Sequence, residues 1–325
     1  MMVGISRKKC PITFSEFPQF FTLVDYRNNY FISNDSNKII EFYNGFENRD
    51  QLIRWMKERP KGVVDIREVE GKKDIIVVIP TADFNGKYAR ECRDNIFKGL
   101  HMVFVESGEV PDPYFNYAHS CNVGIKEAMK YNPKWVVVSN DDMQKIDDIN
   151  VLQQEISILD YSRLDAVFVG TQNRLPRRWK ILRLNYFYNL SQILLRKGFR
   201  KEINALREKF QVAYLPVPIV TLVYRYLFIK GPTMFDFRDF IILSANFVRD
   251  SECMVFDEIF VNDREDNDLA IRLRINGRTA TIDYAIKTIG AISLGMSVVR
   301  SLRSVASETY LNYKWEKFLH LKCVA

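Results

Sequence analysis

The sequence predicts an α/β protein in which a mostly parallel central sheet is flanked by helices. Two observations carry that expectation. The run Trp135-Val136-Val137-Val138-Ser139 reads as a strand covered on both faces, because β-branched residues fill a pleat that is buried on either side. It is also the third strand of a strand-helix-strand-helix-strand series packed into about seventy residues, the pattern of a doubly wound half.

The elements follow in order. Asp74-Ile75-Ile76-Val77-Val78-Ile79-Pro80 is an apolar strand closed by a proline and followed by Thr81-Ala82-Asp83. After a helical stretch, Met102-Val103-Phe104-Val105-Glu106 is a short strand ending in an acid, with Gly108 as the turn residue. Ala118 to Met129 is a helix carrying Asn122-Val123-Gly124, and it leads into the valine strand. That strand stops abruptly at Asn140-Asp141-Asp142.

Strand ends are where chemistry is expected, because open α/β sheets bind ligands beyond the carboxyl ends of their strands. Adjacent acids there repel one another unless a cation sits between them and a substrate phosphate, and Mg²⁺ and Mn²⁺ favour such oxygen ligands. The alternative is a solvated Asn-Asp turn capping the next helix. No Gly-x-Gly-x-x-Gly and no phosphate-loop lysine follows the first strand, so neither a dinucleotide fold nor a phosphate-loop NTPase is indicated.

Far downstream, Phe256-Asp257-Glu258 precedes Glu265-Asp266-Asn267-Asp268-Leu269-Ala270-Ile271-Arg272. With Pro80-Thr81, the Val105-Glu106-Ser107-Gly108 turn, Asn122-x-Gly124 and Asn140-Asp141-Asp142, this ordered set resembles the family 2 glycosyltransferases, which have the GT-A fold. The resemblance covers roughly residues 73 to 292. It implies a nucleotide site at Pro80, Thr81, Asp83, Glu106, Asn122 and Asp141, and a Mg²⁺ or Mn²⁺ held by Asp142 with Asn140. It further implies donor-sugar and acceptor contacts at Asp257, Glu258, Asp268 and Arg272, and a catalytic base at Asp266 with Glu265 second. The chain departs from the family pattern at Asn140 and Glu106, where aspartates are usual, and no histidine occurs in residues 282–295.

The implied reaction is inverting, metal-dependent transfer of a sugar, of the hexosyltransferase type, from a UDP- or GDP-linked donor to an acceptor hydroxyl. The acceptor would be a glycan, a lipid-linked sugar or a protein. A charged helix N-terminus stabilised by the macrodipole is the alternative for Glu265, Asp266 and Asp268. A nucleotidyltransferase and a non-catalytic relative that binds glycan, membrane or partner are the competing classes. The first normally needs a glycine-rich basic loop after the first strand, and Thr81 to Lys87 lacks that richness.

Composition gives the setting. The chain has 325 residues and 47% hydrophobic content, enough for one domain of about 220 residues plus extensions. The five cysteines, Cys10, Cys92, Cys121, Cys253 and Cys323, form neither a metal-spaced cluster nor an even framework, so reduced thiols are expected. Met1 to Lys9 lacks a signal peptide's apolar core and no charge-free run reaches eighteen residues. A cytoplasmic enzyme, peripheral at the inner membrane face, is the expected setting.

The net charge of +7 is unevenly spread. Residues 174–232 hold thirteen Lys or Arg against two Glu, a net of +11, which leaves −4 for the rest. Within them, Trp179, Leu182, Tyr186, Leu190 and Leu194 recur near helical spacing between basic ends. Such a stripe suits an interfacial helix on anionic lipid, or a soluble insertion packed on the catalytic domain. Arginines interleaved with aromatics also suit single-stranded nucleic acid, but no recognised nucleic-acid module accompanies them.

The organisation is then residues 1–72 as an N-terminal extension, 73–292 as the catalytic domain interrupted by the basic helical insertion 174–232, and 293–325 as an amphipathic tail. The extension's clearest element is a helix from Asp50 to Glu58, stopped by Pro60 and Gly62, and it is expected to pack as an additional layer. The tail's apolar residues, Val298, Leu302, Tyr310, Tyr313, Trp315 and Phe318, are expected to pack back or to join the membrane face.

Overall fold

The structure is a computed structural model that describes residues 31–110, 112–169, 200–212, 240–289 and 297–323. Helices α1 (Ser36–Asn44) and α2 (Arg49–Glu58) come first. Asp35 and Asn48 cap them through side-chain oxygens that accept backbone N–H groups, satisfying donors each first turn would otherwise leave open. A seven-stranded sheet follows, in the order β1-β3-β2-β4-β7-β6-β8. Its strands are β1 (Asp65–Val69), β2 (Lys72–Thr81), β3 (Leu100–Glu106), β4 (Trp135–Ser139), β6 (Ala166–Val169), β7 (Phe240–Ser244) and β8 (Thr279–Ile282). A separate ribbon pairs β5 (Met143–Lys145) antiparallel to β9 (Ile286–Thr288).

The α/β class stands, but the sheet is mixed rather than mostly parallel. β2 runs parallel to β3 and β4, and β6 parallel to β8, whereas the β1-β3, β4-β7 and β6-β7 pairs are antiparallel. β1 belongs to residues assigned by sequence to the extension, so the sheet begins at Asp65, before residue 73. Its polar sequence, Asp-Ile-Arg-Glu-Val, suits an edge strand, where charges discourage pairing with other chains.

Helices cover both faces. On one face α4 (Tyr117–Ala128) buries Ala118, Cys121 and Ile125 against Val78, Val103, Val105 and Val136. α8 (Glu265–Asn276) adds Leu269 and Leu273 to the same cluster. On the other face lie α3 (Lys87–Glu91), the π-turn Cys92–Ile96 and α5 (Ile149–Ser157).

A third cluster joins the first described helices to the last. α1 and α2 pack with α6 (Arg200–Lys209) and with α9 (Ser297–Cys323) through Phe42, Tyr43, Leu52, Ile203, Leu302 and Val305. Tyr43 is fully buried, and its hydroxyl donates to the Leu302 carbonyl at 2.7 Å and accepts the Ala306 N–H at 3.1 Å. Residues 31–58 therefore pack as one layer with α6 and α9. Of the insertion, α6 packs in this core. The Trp179-to-Leu194 stripe lies outside the described residues, as does the Phe318 side chain. Among the described residues, no helix is long and apolar enough to cross a membrane.

Candidate functional site

Parallel pairing of β2 with β3 and β4 brings three strand ends to one edge. Thr81 lies in register with Glu106, and β4 ends beside them at Ser139. The Thr81 hydroxyl donates to Asp141 Oδ2 at 2.7 Å. Burial raises the Asp141 carboxyl above its ordinary value, and the Thr81 bond partly offsets that rise. Cys92 Sγ reaches the Asp141 carbonyl at 3.2 Å, tying the π-turn to the same edge.

Glu106 closes the loop after β2. It accepts the Phe84 N–H at 3.0 Å on one oxygen and Arg67 Nε–H at 3.2 Å on the other. Asp83 accepts the Asn85 N–H at 2.8 Å, while Pro80 is buried within the strand. Gly108 has φ +85°, as the turn reading of that glycine requires. Thr81, Asp83, Glu106 and Asp141 are thus gathered in one place, and Asn140 and Asp142 flank Asp141.

The Asn122-x-Gly124 element has a structural explanation. Asn122 is buried, and its amide donates to the Phe256 carbonyl at 2.8 Å and to Glu258 Oε1 at 3.0 Å. Its oxygen accepts the Phe256 N–H at 3.0 Å. It splices the loop after α7 (Ala245–Asp250) onto α4. Gly124 lets that helix approach the sheet: a Cβ there would lie 2.4 Å from Val78 Cγ1 and 2.7 Å from Val105 Cγ2.

The downstream acids form a second cluster around that splice. His119 Nδ1 and Glu258 Oε2 are 3.0 Å apart. Asp257 accepts Lys314 Nζ at 2.7 Å and the Tyr310 hydroxyl at 2.9 Å. Burial alone would raise its carboxyl, but the Lys314 ammonium holds it below the ordinary value. Asp268 is fully buried between Lys314, Trp315 Nε1 at 3.0 Å and Arg272 Nε at 3.1 Å. Arg272 also donates to the Val255 carbonyl. The polar atoms of Asn122, Asp257, Glu258, Asp268 and Arg272 are thus engaged in internal bonds that fix the loop.

Glu265 and Asp266 differ from these. Glu265 is buried, and its Oε2 has no hydrogen-bond partner among the described residues. Burial, then Asp266 and Asp263, push it well above the usual carboxylate range. Asp266 is half-buried, accepts the backbone and side-chain N–H groups of Asn267 at 2.7 Å, and is pushed up to about 6, by burial first and Asp263 second. Arg264, immediately before them, has φ +72°, a left-handed conformation rare for arginine, and donates to Glu308 Oε1 at 2.8 Å.

Tyr117 joins the two clusters. Its hydroxyl donates to Asn140 Oδ1 at 2.7 Å, while its N–H donates to Asn262 Oδ1 at 2.8 Å. Local sequence does not single out Tyr117, Lys314 or Trp315, because each owes its place to contacts distant in sequence. Among the described residues, no group of three or more His, Cys, Asp or Glu is arranged to hold a metal ion by itself. Comparison of the chain with protein-family models, with curated proteins and with solved structures finds no match.

Proposed function

We propose that the protein is a glycosyltransferase that moves a sugar from a nucleoside-diphosphate donor to an acceptor hydroxyl, with a GT-A-like catalytic domain. One observation carries the reading: Tyr117 joins the strand-end edge to an acid loop, where burial pushes the Asp266 carboxyl up to about 6. A base works best when its pKa lies near the operating pH, and general-base assistance contributes typically about 10²–10⁴-fold.

In this reading Glu106 accepts a nucleobase N–H with the capacity left on its oxygens, since a carboxylate has about four acceptor sites. Uracil and guanine offer such an N–H. Thr81 and Asp83 shape the floor beneath it. Asp266 takes the acceptor's proton as the acceptor oxygen bonds to the anomeric carbon. The bond from that carbon to the diphosphate oxygen breaks, and its electron pair leaves with the diphosphate.

A divalent cation fits the donor set in one form. Mg²⁺ is typically bound through one or two carboxylates together with substrate phosphates, so Asp142 and Asn140 would hold it jointly with the diphosphate. Bound there, it would supply Lewis-acid neutralisation of the leaving group. Asp141, held by Thr81, would position its neighbours.

The test is transfer and donor hydrolysis over a panel of UDP- and GDP-sugars, with Mg²⁺ or Mn²⁺ and with chelator. Nucleoside-diphosphate binding that needs the cation, and transfer lost in Asp266→Asn with that binding retained, are expected. Glu265→Gln should be milder. Equal binding with and without chelator across the panel removes the metal site. Full turnover in Asp266→Asn removes the assigned base. Binding without any turnover leaves a non-catalytic binding protein.

A further inference from the structure

We infer that Lys314 of the C-terminal helix is a positioning residue that sets the acid loop of the candidate site. The inference rests on the reading above for its link to catalysis, but its geometry stands apart from it. Asp257, on the loop after α7, and Asp268, in the first turn of α8, converge on one ammonium group. Lys314 Nζ is 2.7 Å from Asp257 Oδ2 and 2.9 Å from Asp268 Oδ1. The neighbouring residue, Trp315, gives its indole N–H to the same Asp268 at 3.0 Å. Asp266 lies two residues before Asp268, so the start of α8 is held from its buried side.

Charge explains why a cation is needed there. Two carboxylates meet at a point where Asp268 is fully buried, and Lys314 with Arg272 balances them. A neutral side chain at 314 leaves one buried negative charge uncompensated, and the two acids then repel. The loop has two ways to relieve that strain: Asp257 swings toward solvent, or α8 shifts at its N-terminus. Either movement displaces Asp266.

The helix that carries Lys314 is itself fixed. Tyr43 bonds to the Leu302 carbonyl and the Ala306 N–H, and Arg303 Nη2 donates to the Ser33 carbonyl at 2.9 Å. Six residues before Lys314, Glu308 is shared by Arg264 at 2.8 Å and Arg207 of the insertion at 2.8 Å. The layer of α1 and α2, α6 and α9 thus form one frame, and Lys314 is where that frame meets both acids.

Two readouts on the full chain test this. Amide hydrogen exchange in Lys314→Met should accelerate roughly tenfold or more across residues 255–268 while α1 and α2 are unchanged, as local opening requires. In the transfer assay, kcat should fall about ten- to a hundredfold with donor KM nearly constant, because misplacement by about 1 Å costs rates of that order. Lys314→Arg, which keeps the charge, should recover most of both. Unchanged exchange over residues 255–268 overturns the inference, and so does faster exchange with full turnover. If wild type shows no transfer with any donor, the proposed activity falls and exchange alone decides whether Lys314 sets the loop. Should Lys314→Met not fold, Asp257→Asn, which unbalances the same pair from the other side, carries both measurements.

Discussion

Asp266→Asn should stabilise the protein at neutral pH and not in acid. Burial and Asp263 raise this carboxyl from an ordinary 3.8 to about 6. The folded chain therefore binds this proton more tightly than the unfolded chain. Below the ordinary value both states are protonated and the group is neutral to stability. As pH rises, the unfolded chain ionises first, and stability falls until the folded group has also lost its proton. A shift of about two units at 1.36 kcal/mol each makes the cost about 3 kcal/mol above pH 6. An asparagine oxygen can still accept both bonds from Asn267, so the substitution removes the charge while keeping the contact. Urea unfolding of wild type and variant at about pH 5 and about pH 8 reads the difference. The variant's advantage should grow by roughly half of that cost between them. A pH-independent difference would mean that Asp266 is not perturbed, and the choice of base would lose its physical ground. Transfer by the wild type should correspondingly fall as pH drops through about 6.

Gly124→Ala should destabilise by about 1–3 kcal/mol despite the better helix propensity of alanine, because the new methyl meets Val78 and Val105 at 2.4 and 2.7 Å; an unchanged urea midpoint would refute the close approach. Asn122→Ala strips the Phe256 N–H, the Phe256 carbonyl and Glu258 of a buried partner, so a loss of about 2–4 kcal/mol is expected in the same measurement. Replacing Arg177, Arg178, Lys180 and Arg183 with glutamine should abolish low-salt co-sedimentation with anionic vesicles while leaving the urea midpoint unchanged, and added salt should weaken the wild type's co-sedimentation, since charge attraction is screened over about 8 Å at physiological ionic strength. Wild-type protein that ignores such vesicles at low salt removes the membrane reading of residues 174–232.

What the sequence determined by itself is local. β2, β3 and β4 were legible because short apolar runs rich in β-branched and aromatic residues suit a strand buried on both faces. α2 was legible from the proline and glycine beyond its end, Pro60 and Gly62, while its Asn48 cap emerged only from the structure. The place of Thr81, Glu106 and Asn140 to Asp142 at strand ends was legible for the same reason as the strands, and parallel pairing carries those ends to one edge. The tertiary structure decided the rest. β1 is short and polar, and only its pairing with β3 makes it a strand. β7 runs against both of its neighbours, a direction that apolar content does not encode. The Asn122-x-Gly124 pair reads as a site motif, yet one residue splices a loop and the other admits a helix to the sheet. Lys314 and Trp315 read as part of an amphipathic tail, and nothing local distinguishes them from a solvated face. Their role arises because a carboxylate buried 46 residues earlier needs a cation, and folding brings that helix to it.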